Sequence, residues 1–376
     1  MNPTVSSPQN ISAVGAAGLG APGPDAAASE PRRQTPAGMR LPGALSFRNV
    51  GALYVWLAIA VIFAVWAPAT FPTWTTARQI LDENAATGLM ALSVVIPLCT
   101  RTFDLSVGFI ASLSAVTAAY MIAHGVPVAA AVAIAMGGAL LVGLINVGVV
   151  VVMGVDSFIA TLATGSLIQA FITLMTNDIA ITSPRLAGPF AKIGQASIGG
   201  ITLPVVYTLF VALVIWFVLE HTATGRRLYA TGFNPESARL AGVRTARLRF
   251  ASLIVSALLA GAAGVVLAST LSSGDPQAGV PYLLSAYAAA FLGASQLHPG
   301  RFNAWGTLIA VLLLGTGIVG LGLVSAPNWA PAMFTGVVLI AALGVTGARR
   351  RALRSGGLGQ RLQRPRGEAA GPPSRT

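Results

Sequence analysis

The sequence predicts an all-α fold, a polytopic transmembrane helix bundle of about ten spans with a polar tail at each end. Of the 376 residues, 55% are hydrophobic and 9% are charged, whereas a soluble domain typically carries about 25% charged residues. The apolar residues are concentrated between positions 50 and 348. This composition excludes a soluble pair of domains and indicates a multi-pass membrane protein.

The two ends of the chain differ in composition from its middle. Residues 1–50 are rich in Pro, Gly, Ala and Ser, without a hydrophobic run after an early basic cluster. This predicts a disordered cytoplasmic tail rather than a signal peptide. Residues 348–376 are basic and rich in Gly, which predicts a second cytoplasmic tail. The transmembrane domain is expected at 51–347.

Ten apolar segments are candidates for spanning helices, since a span needs about 20 apolar residues. They lie near 51–69, 85–100, 107–123, 127–150, 157–175, 204–220, 248–270, 283–297, 304–324 and 329–347. The segments at 85–100 and 283–297 are short. Each is therefore expected to be a broken helix or a half-span.

The basic residues are distributed unevenly between the two sides of this topology. With the N-terminus inside, 20 of the 23 Lys and Arg residues lie in the tails and cytoplasmic loops. The other three, Arg78, Arg185 and Lys192, lie outside. This asymmetry follows the positive-inside rule and predicts both termini in the cytoplasm. It also accounts for the net charge of +12 without any binding of nucleic acid.

Several kinds of chemistry are excluded by what the sequence lacks. The only lysine, Lys192, stands in PFAKIG rather than in a phosphate-binding loop, and no HExxH motif occurs. The single cysteine, Cys99, allows no internal disulfide. We therefore predict no catalytic residue, no metal site and no cofactor. A membrane-embedded transferase would need clustered acids or a metal site and is disfavoured.

Acidic residues are scarce in the predicted spans, where ion-driven carriers usually need them. Asp104 and Asp156 lie near helix starts, and Glu220 lies at a helix end. A transporter with so few buried carboxylates is expected to take its energy from another protein. An ion-coupled secondary carrier for a small polar solute is the alternative.

The longest polar run between spans is HTATGRRLYATGFNPESARLAGVRTARLRF at 221–250, which contains six arginines. Asn234 is a favourable N-cap, Pro235 suits the first helical position, and Glu236 suits the first turn. Gly242 fits the position just after the helix. The pattern predicts about two turns of helix that form a seat for an external ATPase. The alternative is a solvated loop with ordinary positive-inside arginines.

Three segments of the chain resemble the signatures of a known family. They are FDLSVGFIASLSAVTAAYM at 103–121, DSFIATLATGSLIQAFITLMTNDIAI at 156–181 and TGRRLYATGFNPESARLAGVRTARLRF at 224–250. In this order they are similar to the ribose-type permeases of bacterial ABC importers. The resemblance covers about residues 50–347.

The resemblance implies a location and a set of partners. It implies a multi-pass protein of the bacterial inner membrane, in contact with membrane lipid, that imports a sugar or a sugar-like solute such as a polyol or nucleoside. A second permease subunit is expected, as a homodimer or as a related partner. Two cytoplasmic ATPase subunits, or one fused ATPase, would supply the energy. A periplasmic or lipid-anchored solute-binding protein would deliver the solute.

Two places depart from the family pattern. Arg101, Thr102 and Phe103 stand where the family usually has Gly-Gly-Ile or similar. In the second place the family has a glycine-rich turn, whereas this chain keeps only Gly293, Gly300 and Gly306, with His298 and Pro299 inserted. Both changes bear on which solute is carried.

A solute pathway is expected at the broken element that follows the second span. Asp104 either caps a helix that begins near Leu105 or belongs to the pathway wall, with Ser106 and Gly108 facing the solute. Both roles can hold, because irregular backbone within a membrane belongs where it lines a cavity.

Further candidates for the wall are hydroxyl, amide and aromatic side chains, which suit a neutral sugar. They are Asn146, Phe158 and Thr161, with Thr164 and Ser166 on the same span as the last two. Helix packing is the alternative role for these residues. The candidates for coupling to the ATPase are Asn234, Glu236, Arg239 and Gly242.

Overall fold

A computed structural model describes residues 51–295 and 300–341, and the fold is almost entirely helical. The helices are α1 (Gly51–Trp66), α2 (Trp74–Cys99), α3 (Val107–Ala123), α4 (Val128–Val147), α5 (Ser157–Thr176), α6 (Ala191–Gln195), α7 (Leu203–His221), α8 (Ala223–Phe233), α9 (Pro235–Leu240), α10 (Thr245–Leu271), α11 (Val280–Gly293), α12 (Ala304–Leu323) and α13 (Ala330–Ala341). A π-helical turn, Gly148–Val152, extends α4. The predicted tails, and His298 and Pro299, lie outside the described residues.

Six of the described helices are long and apolar enough to cross a membrane, namely α2, α4 with its π turn, α5, α7, α10 and α12. Four shorter apolar helices, α1, α3, α11 and α13, occupy the other predicted span positions. The chain is therefore a polytopic helical membrane protein in which six described helices reach spanning length. The segment expected to be short at 283–297 corresponds to α11, which ends at Gly293.

The prediction of a short element at 85–100 is wrong. α2 begins at Trp74 and runs for 26 residues, after an N-cap at Thr73. Its first turns are polar, so a search for apolar residues alone misses them. They are helical because i,i+4 partners are present, as in the Arg78–Asp82 ion pair at 3.5 Å. The broken element therefore lies after Cys99 rather than inside the helix.

The centre of the bundle is formed by α2, α3 and α10, which pack closely through small residues. A Cβ atom on Gly264 of α10 would lie 2.0 Å from the carbonyl oxygen of Ala111 in α3, so only glycine fits there. Met90, Leu92 and Val94 of α2 are completely buried in the same core. This packing fixes the start of α3, where the predicted pathway residues lie.

Two short antiparallel ladders lie between the helix ends. β1 (Ile181–Thr182) pairs with β4 (Ser273–Gly274), so that Ile181 is opposite Gly274. β2 (Ser197–Ile198) pairs with β3 (Ile201–Thr202) in a hairpin. Because β1 follows α5 and β4 follows α10, the first ladder joins the ends of these two helices.

The polar run at 221–250 contains two helices before α10, where the sequence predicted one. α9 is the expected short helix. α8 was not predicted, because its sequence ATGRRLYATGF is polar by composition. It is nevertheless amphipathic, with Leu228 and Tyr229 buried and Arg226 and Arg227 exposed. Thr222 caps it by accepting the N–H of Gly225 at 3.3 Å.

Candidate functional site

Residues 103–106 form an irregular segment between α2 and α3, and each of its four backbone N–H groups meets a side-chain oxygen. The acceptors, in chain order, are Ser157 Oγ at 3.0 Å, Tyr287 Oη at 3.0 Å, Thr161 Oγ1 at 2.9 Å and Asp104 Oδ1 at 3.2 Å. Buried backbone donors need such partners, since lipid offers none. The segment is therefore held in place by α5 and α11.

Asp104 lies at the centre of a buried polar cluster. Its Oδ1 atom accepts hydrogen bonds from the Ser106 hydroxyl at 2.5 Å and from the Ser106 N–H. The Nδ2 atom of Asn146 in α4 donates to the Ser106 hydroxyl at 2.8 Å. Asp104 therefore closes a turn across two residues rather than capping a helix at Leu105. α3 itself begins at Val107, without a side-chain cap.

Gly108 lies where α3 approaches the start of α11. A Cβ atom at this position would be 3.2 Å from the carbonyl oxygen of Gly279, so a larger residue would push the two elements apart. One turn further along α3, the Ser112 hydroxyl accepts the N–H of Gly279 at 2.9 Å. In this structure, Gly108 is in close contact with protein.

Among the predicted pathway residues, Phe158 and Ser166 are exposed, and the Phe158 side chain is 49% accessible. Asp104, Ser106, Gly108, Asn146 and Thr161 are buried. The Phe158 ring meets the ring of Phe103 edge-on, with the centroids 6.2 Å apart. Further rings, those of Tyr287, Phe291 and Phe302, continue this aromatic cluster.

The structure thus joins four of the eight pathway candidates through hydrogen bonds in and around one segment. Asp104, Ser106 and Asn146 bond to one another, and Thr161 holds the N–H of Leu105. Sequence reasoning missed Ser157 and Tyr287, which complete the site. Ser157 carries a weak signal, because it opens the predicted span of α5. Nothing in the sequence alone points to Tyr287.

The candidates for coupling form the short helix α9 and its two ends. The Asn234 Oδ1 atom accepts the N–H of Ser237 at 3.1 Å, so the predicted N-cap is confirmed. Glu236 and Arg239 form an ion pair at 3.0 Å, with about 70% of each side chain exposed to solvent. Gly242 has a φ of +81°, as expected of a residue that ends a helix.

α8 connects α9 to the rest of the molecule. A Cβ atom on Gly232 would lie 2.0 Å from the carbonyl oxygen of Cys99, so α8 rests directly on the end of α2. The Tyr229 hydroxyl donates to the carbonyl oxygen of Phe302 at 2.7 Å. Burial raises the pKa of the Tyr229 phenol, so this donor keeps its proton at neutral pH. The Arg301 guanidinium lies 5.1 Å from the centre of the same ring.

Comparison with known proteins identifies relatives over most of this chain. The family model described as "Branched-chain amino acid transport system / permease component" matches residues 77–343. The D-allose transport system permease protein AlsC of Escherichia coli (strain K12) is 32% identical over 303 residues, which cover 80% of this chain and 92% of that protein.

Two further relatives have similar coverage. The ribose import permease protein RbsC of Bacillus subtilis (strain 168) is 34% identical over 266 residues, or 70% of this chain and 82% of that protein. The fructose import permease protein FrcC of Rhizobium meliloti is 31% identical over 300 residues, or 77% of this chain and 82% of that protein.

The helical fold and these relatives define a multi-pass transport permease. The chain belongs to the family of permease components just described, and it is a membrane-embedded subunit of an ABC importer. Within the described residues, no group of three or more His, Cys, Asp or Glu side chains is arranged to hold a metal ion.

Proposed function

We propose that this subunit carries a sugar or a sugar-like solute inward while separate ATPase subunits hydrolyse ATP. The relatives are named for D-allose, ribose and fructose, which are neutral and rich in hydroxyl groups. Among the buried side chains of the described residues, Asp104 is the only Asp, Glu, Lys, Arg or His. A nearly uncharged interior suits a neutral solute, because a conduit must bind its solute weakly enough to release it.

The observation that carries the proposal is the exposed helix α9, which follows the half-buried helix α8. Leu240, at the end of α9, is 83% exposed. An apolar residue beside an exposed ion pair is typical of a surface that another protein covers. We assign this surface to the ATPase, with Glu236, Arg239 and Leu240 as the contact residues. Asn234 and Gly242 fix the two ends of the helix.

The distribution of basic residues supports an orientation for this assembly. With 20 of 23 Lys and Arg residues on one side, that side is the cytoplasm, and both termini lie there. α9 then faces the ATPases, either two subunits or one fused protein. The two ladders and α6 face the periplasm, where a solute-binding protein docks. The ten apolar helices of the described residues all cross or enter the bilayer in this arrangement.

We place the solute pathway along α5, between this subunit and a second copy. Phe158, Leu162 and Ser166 recur every four residues on α5, and all three are exposed. They therefore form one stripe with an aromatic ring and a hydroxyl group. In this proposal Phe158 contacts the solute. The buried residues Asp104, Ser106, Gly108, Asn146 and Thr161 act as positioning residues, because they fix the segment that carries Phe103.

An ion-coupled carrier is the second candidate function. The buried Asp104 is the observation in its favour, since such carriers bind their coupling ion with a carboxylate. In this structure Oδ1 of that carboxylate accepts two hydrogen bonds from Ser106, while the buried Oδ2 has no hydrogen-bond partner among the described residues. A carrier would also have no use for α9 as an exposed surface. We therefore favour the ATP-driven importer.

Reconstitution into vesicles tests the proposal. The chain is purified with a candidate ATPase and a candidate solute-binding protein from the same organism, and uptake of labelled pentoses, hexoses and polyols is measured. Accumulation that requires ATP and the binding protein is expected. Accumulation by the chain alone under an ion gradient would establish the carrier instead.

A further inference from the structure

An apolar cleft of about 420 Å³ lies between the ends of α7, α8 and α10 and the last turn of α2. Only two of its lining residues, Thr224 and Ser252, carry a hydroxyl group. Ser252 already donates to the carbonyl oxygen of Arg249 at 2.8 Å. A cleft with so few free polar groups does not hold ordered water, which needs two or more polar partners.

The cleft opens sideways, out of the helix bundle. Phe210 and Val214 of α7 and Val255 of α10 line it, and they are 65%, 45% and 37% exposed. Within a membrane this opening faces the hydrocarbon chains of lipids rather than water. An apolar cavity of about 150 Å³ holds benzene, which has six carbon atoms. By the same ratio, the 420 Å³ of this cleft has room for roughly fifteen to twenty carbon atoms. That is the size of one acyl chain.

Three arginines lie at one end of the cleft. Leu248 and Ala251 line it from α10, and Arg244 and Arg247 stand four residues before them, one turn down the same face. Arg227 adjoins Leu228 at the edge of α8. All three arginines are exposed, and among the described residues the ion pairs involve other side chains. Their charges are therefore available to a ligand.

We propose that this cleft binds an anionic glycerophospholipid of the cytoplasmic leaflet. One acyl chain fills the cleft, and the phosphate lies among Arg227, Arg244 and Arg247. The choice of leaflet rests on the orientation given above. Basic side chains at the cytoplasmic end of an apolar groove have the chemistry that recognises such lipids. Because Leu228 lines the cleft, the bound chain also packs against α8, beneath the surface assigned to the ATPase.

The proposal is tested by native mass spectrometry of the purified full-length chain, titrated in detergent with dioleoylphosphatidylglycerol or dioleoylphosphatidylcholine. Phosphatidylglycerol is expected to bind more tightly. Each arginine should contribute about 1 kcal/mol to the binding of an anionic lipid, which is about 5-fold in affinity. The double variant Arg244→Gln/Arg247→Gln should therefore bind phosphatidylglycerol roughly 30-fold more weakly. It should bind phosphatidylcholine as before. Arg226→Gln, on the opposite side of α8, is the matched control.

A second variant tests the acyl chain independently. Ala251→Phe fills the cleft from an exposed position, so it should fold normally and lose the bound lipid of both kinds. Equal affinity of the two lipids, or wild-type binding by the double arginine variant, would overturn the proposal. So would an Ala251→Phe variant that keeps its lipid but dissociates a dimer, since the cleft would then hold a second copy of the chain.

Discussion

The hydroxyl group of Tyr229 in α8 is joined to the backbone carbonyl group of Phe302, just before α12, by a hydrogen bond of 2.7 Å. The two residues are 73 positions apart in the chain. Gly232 adds a direct contact between α8 and the end of α2. α8 therefore connects the exposed helix α9 to two helices of the bundle at once.

We expect Tyr229→Phe to weaken this connection. The Phe302 carbonyl loses its phenolic donor, which should lower the free energy of unfolding by about 1 kcal/mol. In reconstituted transporter, less solute should enter per ATP hydrolysed. Thermal unfolding and the ratio of uptake to hydrolysis measure the two effects. Tyr207→Phe on α7, where the described residues offer the hydroxyl no hydrogen bond, is the control. An unchanged ratio in Tyr229→Phe would refute the role of α8.

Gly232→Ala should be more disruptive. The added Cβ would lie 2.0 Å from the Cys99 carbonyl oxygen, and backbone cannot move aside as a side chain can. Overpacking of this kind costs about 1–3 kcal/mol, and α8 should separate from α2. Gly137→Ala, in α4, is the matched control, because nothing lies within 4 Å of its new Cβ. We expect a lower unfolding temperature and poorer coupling in the first variant only. Equal behaviour of the two would contradict the packing described here.

Asn234→Ala removes the N-cap of α9. A lost N-cap costs about 1 kcal/mol, which is large for a helix of six residues. ATP hydrolysis should continue while solute uptake falls, because the surface presented to the ATPase is no longer fixed. Asn234→Ser keeps an oxygen for the Ser237 N–H and should retain coupled transport. If Ala and Ser at this position transport equally well, the cap has no part in coupling.

Thr161→Val should destabilise the segment before α3. Valine has the shape of threonine but leaves the Leu105 N–H without its acceptor. An unsatisfied buried donor should lower the free energy of unfolding by about 1–3 kcal/mol. Thr161→Ser keeps the acceptor and should behave like the wild type. The comparison is made by thermal unfolding in detergent and by uptake. A valine variant as stable as the serine variant would mean that another group accepts this N–H.

Phe158→Ala tests the proposed contact with solute. The side chain is half exposed, so its loss should leave the unfolding temperature nearly unchanged. Uptake should fall several-fold at low solute concentration. Phe171→Ala, on the same helix and 51% exposed, is the control for the loss of a ring. Equal uptake by both variants would remove Phe158 from the pathway.

The positions of most helices could be predicted from the sequence, because lipid demands long apolar runs and these are local features. The expected segment 107–123 coincides with α3, and 157–175 differs from α5 by one residue. The start of α2 and the whole of α8 could not be predicted in this way. Both are polar in composition, and they are helical because of capping, ion pairs and contacts with distant residues.

The candidate site was predictable only in part. Asp104 and Ser106 are neighbours in the sequence, so a local turn could be expected. The acceptors that hold the rest of the segment lie 54, 183 and 56 positions away in the chain. No local pattern links such residues, and only the packing of α5 and α11 against α3 brings them together.

The β1–β4 ladder has a mechanical consequence. It fastens the far end of α5 to α10, while Ser157 and Thr161 fasten the near end to the backbone that leads into α3. A helix that is held at both ends cannot pivot about one of them. In the proposed dimer, the solute would then pass through rotation of whole subunits relative to one another, and displacement of α9 by the proposed ATPase would rotate its subunit as a rigid body.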